Sequence, residues 1–453
     1  MMSTSMNEHR VFFEGKKVTV MGLGLLGRGV GDAAYIAESG AAEVIVTDLK
    51  TKEELQSSIE KLRDFKNITF VLGEHRLEDF ENRDVVLVAA GVPLNSKYVA
   101  HAKQTSEKVT QSAALFAELS RVPVIGVTGT RGKSTVTHMI HHVLSVTTGE
   151  EILLGGNVRG LSNLQLLKEI KEDSLCVMEL DSWQLQGWGW SHMSPQIAVF
   201  TSFMKDHLNY YMKEDREEVA AMELYLRDKA NIFAYQDESG VLVTTPEVFE
   251  QIKQLSDISL GQEVILADAS VIPEDALLAM PGEHNRLNAA LAYEALKAIS
   301  LTDEEIFSGL ASFPGVEGRL QYLGERDGVK MYNDNNATTP QATVAGIKAV
   351  GSSDDKNVIL IAGGADKNID TTELEETIPQ YCKKVFWLSG SGTEKITPKI
   401  GGEVFETLKE AVEAGLAAGE PGDVLLFSPA FASFGHYKNE YERNDDFLNI
   451  LES

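Results

Sequence analysis

The chain is expected to fold as a three-part α/β protein, and three observations point there. Short β-branched runs alternate with helical patterns from residue 16 to the end. Two glycine-rich turns stand where such a run meets a helical stretch, at 22–27 and at 128–135. Two short breaks, Arg121-Val122-Pro123 and Phe313-Pro314-Gly315, divide the alternation into segments 1–120, 121–314 and 315–453. Alternation of this kind favours open, mostly parallel sheets covered by helices on both faces. A chain of 453 residues is also about three times a common domain length.

In the first segment, residues 17–21 read as a strand, 27–39 as a helix, and 43–47, 68–72 and 84–90 as further strands. A polar helical stretch at 111–119 precedes the first break. The second segment opens with a strand at 122–127 that runs into the second glycine-rich turn and a helix, and continues with strands at 175–178 and 196–201. Helices at 216–233 and 284–299 carry apolar residues at helical spacing. Thr302, with Glu305 three residues later, signals the capped start of one more helix ending near residue 313. The third segment begins with a hairpin, strands 319–324 and 329–333 turned at Asp327-Gly328. Strands at 358–361, 385–388 and 423–427 then alternate with helices at 339–350 and 407–418.

Composition narrows the function classes. Hydrophobic residues make up 43% and charged residues 24%, ordinary globular values that exclude disordered and fibrous chains. The net charge of −27, from 68 acidic against 41 basic residues, argues against a nucleic-acid surface and requires any phosphate ligand to be held by a local exception. Two cysteines, Cys176 and Cys382, exclude a disulfide scaffold and fit a reducing compartment. The N-terminus lacks an apolar signal core, and no apolar stretch reaches the roughly 18 residues of a spanning helix. A soluble cytoplasmic protein without membrane insertion is expected.

The run Gly22-Leu23-Gly24-Leu25-Leu26-Gly27 follows a strand and opens a helix, and Asp48 ends the next strand. This is the dinucleotide fingerprint, in which small residues let a pyrophosphate approach a helix N-terminus and an acid meets the ribose. The same geometry suits any nucleotide diphosphate. The run Thr128-Gly129-Thr130-Arg131-Gly132-Lys133-Ser134-Thr135 is a phosphate loop, with Lys133 facing β/γ-phosphates and a hydroxyl reaching Mg2+. Val127 stands where the common P-loop has its first glycine. Glu179 ends an apolar strand, at the edge where α/β sheets bind ligands, and Asp206-His207 follows another strand of the same segment. A carboxylate and an imidazole near a phosphate loop can hold Mg2+, or the histidine can be structural. Taken alone, Lys229 reads as a lysine on an amphipathic helix with its head in water. Arg319, Asp334 and Lys367, taken alone, read as residues of element ends and turns.

Together these runs resemble the Mur ligase family, the ATP-dependent amino-acid ligases of peptidoglycan precursor synthesis. The resemblance extends from about residue 15 to the C-terminus. It rests on the 128–135 loop, Gly155-Gly156-Asn157, the run Glu179-Leu180-Asp181-Ser182-Trp183-Gln184-Leu185, and Asp206-His207. His284-Asn285 with Asn288, Gly318-Arg319, Asn333-Asp334 and the tail from Ser428-Pro429-Ala430 to Asn439 complete it. Within the family the chain is most similar to the branch that adds D-glutamate to UDP-N-acetylmuramoyl-L-alanine. The resemblance implies an N-terminal Rossmann-like domain for the UDP end, a central P-loop ATPase-type domain with a mostly parallel sheet, and a Rossmann-like C-terminal α/β domain for the amino acid. It implies that Gly24, Leu25, Leu26, Asp48 and Lys50 meet the uridine diphosphate and Asn157 the muramoyl group. ATP is assigned to Gly129, Thr130, Arg131, Gly132, Lys133, Ser134 and Thr135, with Asn285 and Asn288 toward the adenosine and Arg319 and Asp334 from the third segment. Ser134 and Glu179 are the implied ligands of one Mg2+; His207 and Lys229 belong to a second metal site, where the lysine is carbamylated. Lys133, Glu179, His207 and Lys229 form the implied catalytic set, Lys367 and Ser433 are implied to hold the acceptor, and a monomer is expected.

The chain departs from the family pattern in four places. Arg131 replaces an asparagine, Asp181 stands in a serine-rich motif, Glu440 occupies an aromatic position, and Asn336 replaces the lysine that helps bind glutamate. Glutamate therefore remains the expected acceptor, D over L by resemblance alone. Alternatives are a Mur-type ligase with another acceptor such as L-glutamate, a folylpolyglutamate synthase-like enzyme, an NAD-dependent dehydrogenase, which leaves Lys133 idle, and a non-catalytic nucleotide-binding module.

Overall fold

Among the described residues seventeen strands form three sheets, and each of the three expected segments supplies one of them. The computed structural model describes residues 9–452 apart from positions 10, 26, 94, 213–216, 256, 257, 259, 277 and 279. Leu26 and the expected first residue of the helix at 216–233 therefore lie outside the described residues.

The first sheet is built from β1 (Lys17–Met21), β2 (Glu43–Asp48), β3 (Ile68–Leu72), β4 (Val85–Val88) and β5 (Val109–Thr110), in the order β3-β2-β1-β4-β5 and parallel throughout. The chain winds outward from β1 to β3 and then returns to the other side of β1, so a crevice opens between the loops that follow β1 and β4. The second sheet contains β6 (Val124–Thr128), β7 (Leu153–Gly156), β8 (Cys176–Glu179), β9 (Ile197–Phe200), β10 (Val241–Thr244) and β11 (Glu263–Leu266). Its order is β11-β10-β9-β6-β8-β7, again all parallel, with β6 between β8 and β9.

These two sheets belong to one compact unit, residues 1–271 with 290–306. The reason is a shared core: Val18, Val20 and Val44 of the first sheet join Phe116, Leu153, Met178, Phe200 and Leu242 in one buried cluster. The helix Ser112–Ser120 links the two sheets. It looked polar in sequence because Gln111, Ser112, Glu118 and Ser120 dominate its ends, yet Ala113, Ala114, Leu115 and Phe116 are buried.

The second unit, residues 272–289 with 307–453, carries the third sheet. Its strands are β12 (Gln321–Arg326), β13 (Val329–Asn333), β14 (Val358–Gly363), β15 (Cys382–Leu388), β16 (Glu403–Phe405) and β17 (Val424–Phe427), ordered β12-β13-β17-β14-β15-β16. Only the β12–β13 hairpin is antiparallel. Asp327 and Gly328 have φ of 52° and 80°, so the turn is the two-residue left-handed kind whose twist matches a hairpin. Both faces of the sheet are covered, one by the helices around Val344, Ile347, Leu374 and Ile396, the other by those around Leu408, Val412, Phe447 and Leu451.

Candidate active site

The crevice of the first sheet is a cavity of about 670 Å3. Gly22, Leu23, Gly24 and Leu25 line it from the end of β1, Asp48 and Lys50 from the end of β2, and Ala89 to Pro93 from the end of β4. Asp48 is 6% exposed, and its carboxylate braces the glycine-rich turn. Oδ2 accepts from Leu23 N at 2.9 Å and Gly24 N at 3.0 Å, and Oδ1 accepts from Lys50 N at 2.9 Å. The acid therefore shapes the loop that a phosphate would approach as well as lining the cavity. Nearby, His75 Nδ1 lies 2.8 Å from Thr47 Oγ1, and its ring packs edge-on to Tyr98 at 5.2 Å. Burial pushes the His75 imidazole pKa down.

In the second sheet the loops after β6, β8 and β9 meet at one edge. The helix Lys133–Thr148 starts from Gly132 without a side-chain cap, so its first-turn N–H groups have no intrahelical acceptor and are available to an anion. Before it, Gly129 adopts φ 149°, and a Cβ there would lie 2.0 Å from Thr201 Oγ1. The loop is latched to the segment after β9: Thr130 N donates to Ser202 O at 2.7 Å and Arg131 N to Ser202 Oγ at 2.8 Å. Ser134 and Thr135 are buried, whereas Arg131 is exposed.

Two lysines converge on one carbonyl of this loop. Lys133 Nζ donates to Gly129 O at 3.0 Å and to Thr130 O at 3.2 Å; Lys229 Nζ donates to Gly129 O at 2.7 Å. Lys229 comes from the helix Glu218–Ala230, is 1% exposed, and lies 4.8 Å from the Tyr225 ring centroid. The sequence-based expectation of a head in water is corrected here: Tyr225 and Leu226, buried on the same helix, carry the amine inward with them. Burial holds the Lys229 ammonium well below its ordinary pKa, and the charge of Lys133 lowers it further, against Asp181, Asp206 and Asp228.

Glu179 ends β8 and is 5% exposed. Asn157, directly after β7, donates from Nδ2 to Glu179 Oε1 at 3.5 Å and from its backbone N to Glu179 O at 2.7 Å. Asp181 caps the helix Ser182–Trp190 in a reciprocal capping box with Gln184, which explains its place in the motif. His207 sits at φ 52° with its ring 4.7 Å from that of Trp183. Its pKa is lowered by burial, raised by Asp206, and lowered by Lys133 and Lys229. Among the described residues no three His, Cys, Asp or Glu side chains cluster as a metal site.

The remaining expected residues belong to the second unit. Asn285 is 1% exposed; its Nδ2 donates to Pro281 O at 2.9 Å and its Oδ1 accepts from Asn288 Nδ2 at 3.1 Å. Asp334 accepts from Leu320 N at 3.0 Å and from Ser428 Oγ at 2.8 Å. Burial lifts its carboxyl pKa to about 7, opposed by those two hydrogen bonds and by Arg319. Lys367 Nζ donates to Thr338 Oγ1 at 3.0 Å, two residues beyond Asn336. The turn that carries Lys367 pairs with the segment that carries Ser433, since Ala365 and Ala432 exchange backbone hydrogen bonds at 2.9 and 3.0 Å.

Comparison with known proteins adds kinship to this geometry. Residues 127–296 match the model of the Mur ligase middle domain, and residues 318–431 that of the Mur ligase glutamate ligase domain. The UDP-N-acetylmuramoylalanine–D-glutamate ligase of Roseiflexus sp. (strain RS-1) is 32% identical, over 97% of this chain and 99% of the relative. The chain belongs to the Mur ligase family. Among solved structures, this Mur ligase resembles a UDP-N-acetylmuramate-alanine ligase from Thermotoga maritima with a TM-score of 0.59 at 17% identity, over 96% of this chain and 99% of that one. The MurF ligase of Thermotoga maritima, solved with ADP, gives a TM-score of 0.56 at 16% identity over 97% of each chain. Both likenesses concern the fold.

Within this Mur ligase the structure gathers Gly129, Thr130, Lys133 and Lys229 through direct hydrogen bonds and sets Asn157 against Glu179. Gly24, Leu25, Asp48 and Lys50 line one cavity. Sequence reasoning missed Thr201 and Ser202, which latch the phosphate loop, and Arg28, which donates to Asn157. The first two stand in a loop without a motif. Arg28 directly follows the glycine-rich run, and that position was its only signal.

Proposed function

We propose that this Mur ligase joins D-glutamate to UDP-N-acetylmuramoyl-L-alanine with cleavage of ATP, through an acyl phosphate. One observation carries the reading: a glycine-rich loop lining a 670 Å3 cavity and a separate lysine-bearing phosphate loop occur together in a chain 32% identical, nearly end to end, to a ligase of that name. ADP in a relative of the same fold supports ATP as the nucleotide. In this reading the substrate carboxylate attacks the γ-phosphate and displaces ADP, and the amine of the acceptor then attacks the resulting acyl phosphate, loses a proton and expels inorganic phosphate. Segments 1–120, 121–314 and 315–453 serve as the UDP, ATP and acceptor domains.

Gly24, Leu25, Leu26, Asp48, Lys50 and Asn157 hold the UDP-substrate. Residues 129–135 hold the ATP phosphates, with Asn285, Asn288, Arg319 and Asp334, and Lys367 and Ser433 hold the acceptor. Lys133 brings positive charge to two anions that must meet. The donor set also fits Mg2+. Glu179 is a buried carboxylate, Ser134 is a buried hydroxyl in the first turn of the helix that follows the phosphate loop, and hard oxygen donors suit this ion. Mg2+, when bound by Ser134 and Glu179, with a second ion at His207 and carbamylated Lys229, supplies charge neutralisation at the phosphates. An ammonium at Lys229 would repel such an ion. Burial and Lys133 favour the neutral amine, which can add CO2 and release a proton to give an anionic carbamate.

A cytoplasmic monomer that binds no nucleic acid completes the reading. In its support, none of the described helices is long and apolar enough to cross a membrane, and the net charge is −27. L-Glutamate is the second reading, because Asn336 supplies a neutral amide where the family has a lysine. The test is phosphate release with UDP-N-acetylmuramoyl-L-alanine, ATP and a panel of D- and L-amino acids. Release is expected only when the UDP-sugar and D-glutamate are both present. Turnover with L-glutamate and none with D-glutamate would replace the acceptor, and release without the UDP-sugar would overturn the ligase reading.

A further inference from the structure

We infer that Arg28 is a positioning residue for the reaction, fixing the amide of Asn157 and, through it, the carboxylate of Glu179. The inference rests on the reading of Glu179 as a cation ligand.

Arg28 is the first residue of the helix Arg28–Glu38, directly after the glycine-rich loop, and it lines the 670 Å3 cavity. Its Nη1 donates to Asn157 Oδ1, while Asn157 Nδ2 points to Glu179 Oε1 at 3.5 Å. A guanidinium can only donate and a carboxylate can only accept, so one orientation of the intervening amide satisfies both neighbours. The backbone allows Asn157 little other freedom. Its N–H is bonded to Glu179 O at 2.7 Å, and the preceding Gly156 lies so close that a Cβ would sit 2.0 Å from the same oxygen.

The other end of the link is equally fixed. Gln165 Nε2 donates to Gly31 O at 3.0 Å, Ser162 Oγ to Asp32 Oδ1 at 2.6 Å, and Leu164 N to the same Oδ1 at 3.2 Å. The helix that carries Arg28 is thereby tied to the segment that follows Asn157. Asp32 and Ser162 are 5% and 6% exposed, so water competes little for these bonds. Without Arg28 the amide can rotate and turn its oxygen toward Glu179, placing an acceptor against an acceptor. With Arg28 one carboxylate oxygen is oriented from the protein side, which is how outer-shell partners tune a metal ligand.

The test uses Mn2+ as the probe, read from the electron paramagnetic resonance of the free ion with ADP present and no turnover. Arg28→Met keeps an apolar stem and removes every donor. It is expected to weaken Mn2+ binding about tenfold, the lower end of outer-shell effects. Asn157→Ala should cost the same, the double variant no more than either alone, and Arg28→Lys should recover most of the loss. Melting curves check that each variant is folded, and the Asn157→Ala and Arg28→Lys arms stand if Arg28→Met is not. If Arg28→Met binds Mn2+ like the unaltered chain while Glu179→Gln loses it, or if the two losses add, the positioning role is overturned and the cation site stands. If Glu179→Gln binds Mn2+ undiminished, the cation reading fails and the role of Arg28 fails with it.

Discussion

Lys229 carries an electrostatic conflict, because burial and the charge of Lys133 both oppose its ammonium form. It shares Gly129 O with Lys133, and burial holds its ammonium pKa well below the ordinary 10.5. The native state therefore keeps the amine neutral at a pH where the unfolded chain keeps it protonated. The unfolded state binds the extra proton, so stability rises with pH from the depressed native value up to 10.5. Lys229→Met removes that penalty, fills similar volume, and leaves Gly129 O bonded to Lys133. It is expected to raise Tm at pH 7 in bicarbonate-free buffer, with a gain that shrinks toward pH 10.5, and to abolish turnover. A melting point that falls at pH 7, or a gain independent of pH, contradicts the assignment. No local pattern announced this conflict, because amphipathic lysines and buried ones share the same helical spacing.

At the scale of elements, caps and turns were the most legible features. Thr302 N donates to Glu305 Oε2 at 2.8 Å and Glu305 N to Thr302 Oγ1 at 3.3 Å, the reciprocal pair that the T-x-x-E spacing predicts. The same device starts the helix Leu408–Ala417 from Thr407. Close strand approach was less legible. β7 is a four-residue strand whose final Gly156 adopts φ 85° beside Glu179 of β8. A methyl group there meets backbone it cannot displace and a conformation that L-residues avoid. Gly156→Ala is therefore expected to destabilise by about 2–4 kcal/mol, in the range of strained backbone substitutions. Denaturant titration would check it, and a cost under about 0.5 kcal/mol, ordinary for an innocuous site, would argue against the close approach.

On the scale of the whole molecule, three sheets give two compact units because the first two share one apolar core. The two glycine-rich loops nevertheless leave different sheets, Gly22–Gly27 after β1 and Gly129–Gly132 after β6. Lys133→Ala is accordingly expected to abolish ATP turnover while UDP-substrate binding, followed by titration calorimetry, changes less than threefold. Equal loss of both would mean that one site holds both ligands.

By itself the sequence determined the α/β class, the hairpin at Asp327-Gly328, the capped helix after Thr302 and the two glycine-rich loops. These depend on interactions among residues close along the chain: period, caps, and turns that demand positive φ. Tertiary structure alone decided that the amine of Lys229 points inward to Gly129, that Asp48 braces the loop after β1, and that Arg28 reaches Asn157, 129 positions away. It also decided that the helix Ser112–Ser120 is core. Each of these is set by burial and hydrogen-bond satisfaction between segments distant in sequence, and a buried donor or acceptor takes whichever partner the packing brings to it.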